Sequence, residues 1–406
     1  MPVLLIGTLD TKGDELGFVR DRLQEAGIAT LVVDVGSLNP PRIVPDLTRE
    51  EVFRAAKTTL AEIQRQGDRG HAVTQAAAGI TAIAKQFAQQ GQLDGILALG
   101  GSAGTTIGTA AMRALPYGIP KIMVSTLASG QVSPFVGVRD IVMMHSVVDI
   151  SGLNRLSKLV LGNAAQAMAG MVRAASETRR RAEADPKPLI TATMFGVTTP
   201  CVEAGRAILE SHGYEVLTFH ATGVGGRTME ALIHDGLITG VLDVTTTELA
   251  DELVGGVLTA GRDRLTAAAM KGIPQVISVG ALDMVNFGPR ATVPEKFRDR
   301  RFYQHNENIT LMRTTPEEND QLGKEIAEKA CAASGPTTIV LPLRGVSAID
   351  AEGKPFWWPE ADQALFQSIR NWISSDVKLV ELDLHINDPA FATAITQELL
   401  TQLRKG

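Results

Sequence analysis

The sequence predicts an α/β protein of two similar, doubly wound, Rossmann-like parallel-sheet domains. Three observations predict it. Short apolar runs alternate with longer amphipathic segments along the 406 residues, which is the pattern of βαβ units. The succession occurs twice. Glycine and alanine are abundant while aromatics make up only 4%, a composition that suits helices packed closely on a parallel sheet better than a β-sandwich.

The first half offers strands at Val3–Gly7, Thr30–Val35, Gly95–Leu99 and Lys121–Val124. An insertion follows the second of these. Asn39-Pro40-Pro41 is a loop, and Thr48 with Glu51 forms a capping box that opens a helix toward Gln64. A long helix from about Leu156 to Ala184 closes the half. Asp185-Pro186-Lys187-Pro188 then forbids helix, because a residue before proline is pushed toward extended geometry. The expected domains are therefore 1–184 and 185–406. The second half offers strands at Leu189–Met194, Glu215–Phe219, Gly240–Val244 and Gln275–Val279. A tail after Phe302 adds a strand at Thr337–Leu341 and helices near Ala361–Ser374 and Ala390–Leu403.

The two series match in order. The clearest pair is Gly118-Ile119-Pro120-Lys121-Ile122-Met123-Val124-Ser125, answered by Gly272-Ile273-Pro274-Gln275-Val276-Ile277-Ser278-Val279. In each, glycine ends a helix and proline prevents its continuation, so one device returns both halves to the sheet. The pattern reads as a duplicated fold.

A net charge of −6 without a basic tail argues against nucleic acid as a main partner, since phosphate binding needs a concentrated positive face. The run Arg179-Arg180-Arg181 reads as a solvated helix end. Two cysteines, Cys201 and Cys331, are too few for a disulfide framework or a cysteine zinc site. The chain opens on a strand and carries no apolar run of membrane-spanning length, so no signal peptide, no membrane partner and a cytoplasmic location are expected.

Ligands of open α/β sheets sit beyond the carboxyl ends of the strands, which selects a few turns. Gly7-Thr8-Leu9-Asp10-Thr11-Lys12-Gly13 combines hydroxyls, a carboxylate and an ammonium, suited to phosphate oxygens and a metal at Asp10; Asp10 or Thr11 as a plain helix cap is the alternative. Leu99-Gly100-Gly101-Ser102-Ala103-Gly104-Thr105-Thr106 follows a strand and opens a helix. Such a turn presents backbone N–H groups and a positive helix end to an anion; tight strand–helix packing is the alternative. It is neither the Walker pattern nor the usual dinucleotide fingerprint. Ser125 and Thr126 line the same crevice after the fourth strand, and Asp34 ends the second strand where an acid often holds ribose hydroxyls.

The second half differs. Thr245 and Glu248 read as a capping box that puts a carboxylate where the first half would seat phosphate. Gly223-Val224-Gly225-Gly226-Arg227 reads either as a new anion site or as a plain loop. Cys201 begins a helix, as a buried thiol or a nucleophile. His145, Asp149, His305 and Arg344 are candidates for a metal or acid–base site between the domains.

Gly7-Thr8-Leu9-Asp10-Thr11-Lys12-Gly13-Asp14-Glu15, Gly100-Gly101-Ser102-Ala103-Gly104-Thr105, Phe195-Gly196-Val197-Thr198-Thr199-Pro200-Cys201 and Leu341-Pro342-Leu343-Arg344-Gly345 resemble a largely uncharacterised bacterial and plant family. It includes the ATP-binding N-terminal domain of the tomato tobamovirus-resistance protein. The resemblance covers nearly the whole chain. It implies two Rossmann-like subdomains, ATP with Mg²⁺ at the first, and a homodimer. The expected function is an ATP-dependent or ATP-regulated metabolic enzyme acting on a small acidic or sugar-acid substrate between the halves. A nucleotide-binding regulator without turnover and a metal-dependent lyase or hydrolase are the alternatives.

Overall fold

The computed structural model describes residues 1–182 and 187–404. Residues 183–186, with Asp185 and Pro186 of the expected linker, lie outside the described residues, as do the side chains of Arg179-Arg180-Arg181. The chain divides into two units, residues 1–186 and 187–406.

The first unit runs β1 (Val3–Gly7), α1 (Leu9–Glu25), β2 (Thr30–Asp34), α2 (Arg49–Ala55), α3 (Leu60–Gln66), α4 (Arg69–Gln89), β3 (Gly95–Gly100), α5 (Ser102–Arg113), β4 (Lys121–Ser125), α6 (Ser133–Val136), β5 (Val142–His145) and α7 (Arg155–Ala182). Its sheet is parallel throughout, in the order β2-β1-β3-β4-β5. Strand side chains alternate between two cores. Leu4, Ile6, Val33, Ile96 and Ala98 pack with Phe53, Ile80 and Ile107 of α2, α4 and α5. Val3, Leu5, Val32, Leu97 and Leu99 pack with Leu16, Val19 and Met168 of α1 and α7. Both faces are covered, which is why β1 and β3 read as unbroken apolar runs. Close packing explains part of the glycine content: a Cβ on Gly79 of α4 would lie 2.0 Å from the Val52 carbonyl oxygen of α2.

The second unit runs β6 (Leu189–Met194), α8 (Thr199–Ser211), β7 (Glu215–His220), α9 (Val224–His234), β8 (Gly240–Thr245), α10 (Glu248–Val254), α11 (Ala267–Lys271), β9 (Gln275–Gly280), β10 (Met284–Phe287), β11 (Phe302–Asn306), β12 (Ile309–Arg313), α12 (Pro316–Cys331), β13 (Thr337–Pro342), α13 (Pro359–Trp372), β14 (Lys378–Leu382) and α14 (Pro389–Leu403). Its main sheet is β14-β13-β9-β8-β6-β7, again parallel, so the order 2-1-3-4 of the first unit recurs as 7-6-8-9. The two sheets are separate, as a duplicated α/β fold requires. No helix among the described residues is long and apolar enough to cross a membrane.

Three local expectations change. The Thr48–Glu51 capping box is present, but its helix stops at Ala55; a second box, Thr59–Glu62, opens α3, and Lys57 between them has φ 62°. The edge strands β5 and β14 are short and partly exposed, so neither shows as an apolar run. β10, β12 and β11 form an antiparallel sheet whose polar positions, including Asn286, Gln304, Thr310 and Arg313, hide it in the sequence.

The second unit buries acids around Arg313. Arg313 Nη2 lies 2.6 Å from Asp362 Oδ1 and 3.7 Å from Asp350 Oδ1, and the Ser347 hydroxyl donates to Asp283 Oδ2 at 2.8 Å. Burial first, then the neighbouring charge of Asp350, pushes Asp283 up to about 8; burial pushes Asp362 up to about 7 and raises Asp350 as well. Asp251, also buried, is pushed up to about 7. A carboxyl raised in the folded state keeps a proton that the unfolded chain has released. Its contribution is therefore fully present below the unfolded value near 3.8 and is lost as pH climbs through the folded value. Thermal unfolding between pH 5 and pH 8, a window set by these values, is expected to show Tm falling with pH. Asp283→Asn, which keeps an acceptor for Ser347, should flatten that fall. A Tm that rises across the window would mean that these acids are ionised in the folded protein.

Candidate functional site

β1 and β3 are neighbours, yet the chain leaves β1 toward β2 and leaves β3 toward β4. Their following helices lie on opposite faces, α1 with the α7 side and α5 with the α4 side. This is the switch point at which an open parallel sheet leaves a crevice. Thr8 precedes α1 and Gly101 precedes α5, and neither helix has a side-chain cap. The first amides of α5 thus remain available at its positive end, whereas at α1 the Leu9 amide goes to Asp34 and the Thr11 and Lys12 amides go to the Thr8 carbonyl. The Thr8 hydroxyl instead meets the Thr11 hydroxyl at 2.8 Å. Among the described residues the Lys12 ammonium has no hydrogen-bond or ion-pair partner.

A cavity of about 630 Å³ opens here. One part of its wall is Thr8, Asp10, Thr11 and Lys12 together with Gly100, Gly101, Ser102 and Gly104. Another part is apolar: Val35, Ile63, Ala72, Val73 and Ile107, edged by Ser37, Asn39 and Gln64. The two sequence turns are thus brought together. Ile63 of that apolar part lies on α3 and Ala72 and Val73 on α4, segments whose sequence carries no functional motif, while Val35 follows β2 and Ile107 lies on α5.

The glycines divide by role. A Cβ on Gly100 would lie 2.8 Å from the Gly104 Cα, and one on Gly104 would lie 3.1 Å from the Leu99 carbonyl oxygen. Those two are packing glycines. Gly101 has φ −79°, and a Cβ there would meet nothing nearer than the Thr126 hydroxyl at 3.8 Å. Its backbone conformation does not demand glycine, so its bare surface is available to a ligand.

Several predicted contacts face elsewhere. The Thr105 hydroxyl is buried, donating to the Gly101 carbonyl at 2.8 Å and meeting Ser125 Oγ at 2.7 Å, and Ser125 Oγ accepts the Leu127 amide at 2.9 Å. Thr105 and Ser125 therefore brace the turn from behind. Gly7 packs against Leu16, and neither it nor Thr126 lines the cavity. Asp34 does not line it either. Its Oδ1 accepts the Leu9 amide at 3.1 Å and the Gly36 amide at 2.9 Å, tying the start of α1 to the exit of β2. Burial raises its pKa against those two hydrogen bonds. Of the two acids that the sequence places at these strand ends, Asp10 lines the cavity. Its Oδ2 accepts the Asn39 amide at 3.2 Å, while its buried Oδ1 has no donor.

Of His145, Asp149, His305 and Arg344, only Asp149 lines the cavity; His145 ends β5 with its buried Nδ1 unpartnered. Arg344 is bound by Asp383 through bonds of 2.7 and 2.6 Å, and His305 is exposed on β11. No group of three His, Cys, Asp or Glu that could hold a metal ion exists among the described residues. Asp149 remains, in the cavity wall. Cys201 is buried, which pushes its thiol up to about 12, so it is a packed side chain and not a nucleophile.

The second unit fills its own anion seat. Glu248 Oε1 accepts the Gly223 amide at 2.7 Å and the Gly226 amide at 3.1 Å, and Glu248 Oε2 accepts from Arg264 at 2.7 Å. The Thr245–Glu248 capping box is absent: α10 begins at Glu248, and the Thr245 hydroxyl meets the Thr198 hydroxyl at 2.8 Å instead. The Gly223–Gly226 turn is thus no ligand loop, and Arg227 is simply exposed. Near the strand ends, Ala281, Met284, Leu311 and Phe356 pack with Phe195 and Val197, so part of the antiparallel sheet covers that region.

Two domains of an uncharacterised protein family (UPF0261) match the chain, the N-terminal domain over residues 1–177 and the C-terminal domain over residues 187–403. A UPF0261 protein of Clostridium tetani is 50% identical over 99% of both chains. The ToMV resistance protein Tm-1 of Solanum lycopersicum is 42% identical over 98% of this chain, which spans 55% of that protein's length. The solved UDP-GlcNAc 2-epimerase of Methanocaldococcus jannaschii, in complex with UDP-GlcNAc and UDP, aligns over 100% of this chain and 94% of its own at 11% identity and a TM-score of 0.22. A likeness that low bears on no function.

Proposed function

This chain belongs to the UPF0261 family, and we propose that its first unit binds ATP in the cavity between α1 and α5. One observation carries the reading: the uncapped start of α5 and the unpaired Lys12 ammonium at the start of α1 share a cavity that also has an apolar part. Phosphates suit the first part, where amides and Lys12 supply positive potential. A purine suits the second, where Ile63, Ala72 and Ile107 offer a dry surface with polar edges. The resemblance read from the Gly7–Glu15 and Gly100–Thr105 motifs supports the same ligand.

Asp10 is the residue that fits Mg²⁺. Its buried Oδ1 lacks a donor, and Mg²⁺ is commonly held by one or two carboxylates together with substrate phosphates and water. The ion would supply neutralisation of phosphate charge. The same oxygen would otherwise accept a ribose hydroxyl, and the Mg²⁺ dependence of affinity separates the two roles.

The test is calorimetric titration with adenosine, AMP, ADP and ATP, with and without Mg²⁺. Affinity is expected to rise with each phosphate. Lys12→Ala removes no side-chain hydrogen bond or ion pair. It should weaken ATP by about tenfold, roughly 1.4 kcal/mol, and leave adenosine unchanged. Equal binding of adenosine and ATP, or no binding of any of them, would assign the cavity to another ligand.

A further inference from the structure

We infer that Asp149 is the general base of a phosphoryl transfer from ATP to a hydroxyl acceptor. The inference rests on the ATP reading and adds a reaction to it.

Asp149 sits in the loop between β5 and α7 and lines the same cavity as Lys12, Gly101 and Gly104. Among the described residues its carboxylate has no hydrogen-bond or ion-pair partner. Asp149 is exposed to solvent and makes no ion pair with Lys12, although both line one cavity.

The loop is built to hold that position. Before Asp149, the Ser146 amide donates to the Ser125 carbonyl at 3.1 Å and the Ser146 hydroxyl donates to the Val148 carbonyl at 2.7 Å. After it, Ile150 is buried in the core shared by α1 and α7, and the Gly152 amide donates to Glu15 Oε1 at 2.6 Å. Ser125 braces the Gly101 turn through Thr105, and Glu15 belongs to α1. The loop is thus anchored to the supports of both proposed phosphate-binding turns. Between the anchors Val147 has φ 67°, although its side chain is 58% exposed. A β-branched residue in the left-handed region is strained, and strain of this kind persists where surrounding contacts fix it, often beside functional groups.

A bare carboxylate near bound phosphates would weaken their binding unless it served the reaction. A proton acceptor does so. The acceptor hydroxyl gives its proton to Asp149, and its oxygen forms a bond to the γ-phosphorus. The bond from that phosphorus to the bridging oxygen breaks, and ADP leaves with the electron pair. Lys12 and the helix ends face the developing charge. With water as acceptor the products are ADP, inorganic phosphate and a proton, which Asp149 passes to solvent.

Asp149→Asn preserves shape and, since the carboxylate makes no internal bond, the fold. Two measurements are needed on wild type and variant: ATP affinity by calorimetry, and phosphate release from γ-labelled ATP and Mg²⁺ in single turnover with enzyme in excess. The variant is expected to release phosphate at least about a hundredfold more slowly. It should bind ATP as tightly as wild type or a few-fold more tightly, because a negative charge has gone. Release within threefold of wild type overturns the assignment. So does a tenfold loss of ATP affinity, which would make Asp149 a binding group. Wild type that binds ATP yet releases no phosphate overturns the transfer and leaves the ATP reading standing. Failure to bind ATP at all removes the reading itself.

Discussion

Arg264→Met is expected to destabilise the second unit by about 3–5 kcal/mol, the usual cost of removing one partner from a buried ion pair. The guanidinium is fully buried. It forms a bidentate pair with Asp243 at 2.5 and 2.7 Å, holds Glu248 at 2.7 Å and approaches Glu230 at 3.4 Å. Burial alone would lower its pKa, but the charges of Asp243, Glu248 and Glu230 more than reverse this and fix it as a cation. Glu230 is already raised by burial even with Arg264 present. Methionine fills similar volume but leaves three carboxylates without their cation. They would need to bind protons or draw in water. Glu248 would also lose the partner that steers it onto the Gly223 and Gly226 amides, so the start of α9 should loosen with the cluster. Urea unfolding followed by a signal from the second unit is the measurement. Because protonation relieves the unpaired acids, the loss should shrink as pH falls. A change below about 1 kcal/mol would mean that Arg264 contributes no more than an exposed ion pair does.

The parts of the site that were legible in the sequence are those whose chemistry is local. A short apolar strand followed by Gly-Gly-Ser-Ala-Gly announces a helix start open to an anion, and Thr8 to Lys12 announces a turn with a carboxylate and a cation. Orientation was less legible. Thr105 and Ser125 have the right chemistry at the right turn, yet their hydroxyls bond to each other behind it. Asp34 stands where a ribose-binding acid would stand, but the Leu9 and Gly36 amides claim its carboxylate. Glu248 was read as an anion at a helix end. It is the first residue of α10, yet its carboxylate bonds to amides at the start of α9. Such choices depend on which backbone amide a side chain reaches in three dimensions. The apolar wall was invisible for a related reason: Ile63 and Ala72 are ordinary core-type residues until the insertion brings them beside Ile107.

Gly101→Val should cost little stability and most of the nucleotide affinity. Backbone angles of φ −79° and ψ −153° are open to any L-residue, and the nearest atom to a new Cβ is 3.8 Å away. The fold therefore has room for a Cβ there. A phosphate approaching the Gly101–Gly104 amides to about 3 Å would not, since the added methyl groups stand on the same surface. ATP affinity is expected to fall at least tenfold, about 1.4 kcal/mol, while adenosine, which lacks phosphates, changes far less. Gly100→Ala provides the contrasting control. Its Cβ would press on the Gly104 Cα at 2.8 Å, so it should lower Tm whether or not a nucleotide binds. The pair separates a ligand-facing glycine from a packing glycine within one turn. If folded Gly101→Val protein binds ATP as tightly as wild type, the phosphates do not lie on this turn, and the positive ends of α1 and α5 serve some other anion.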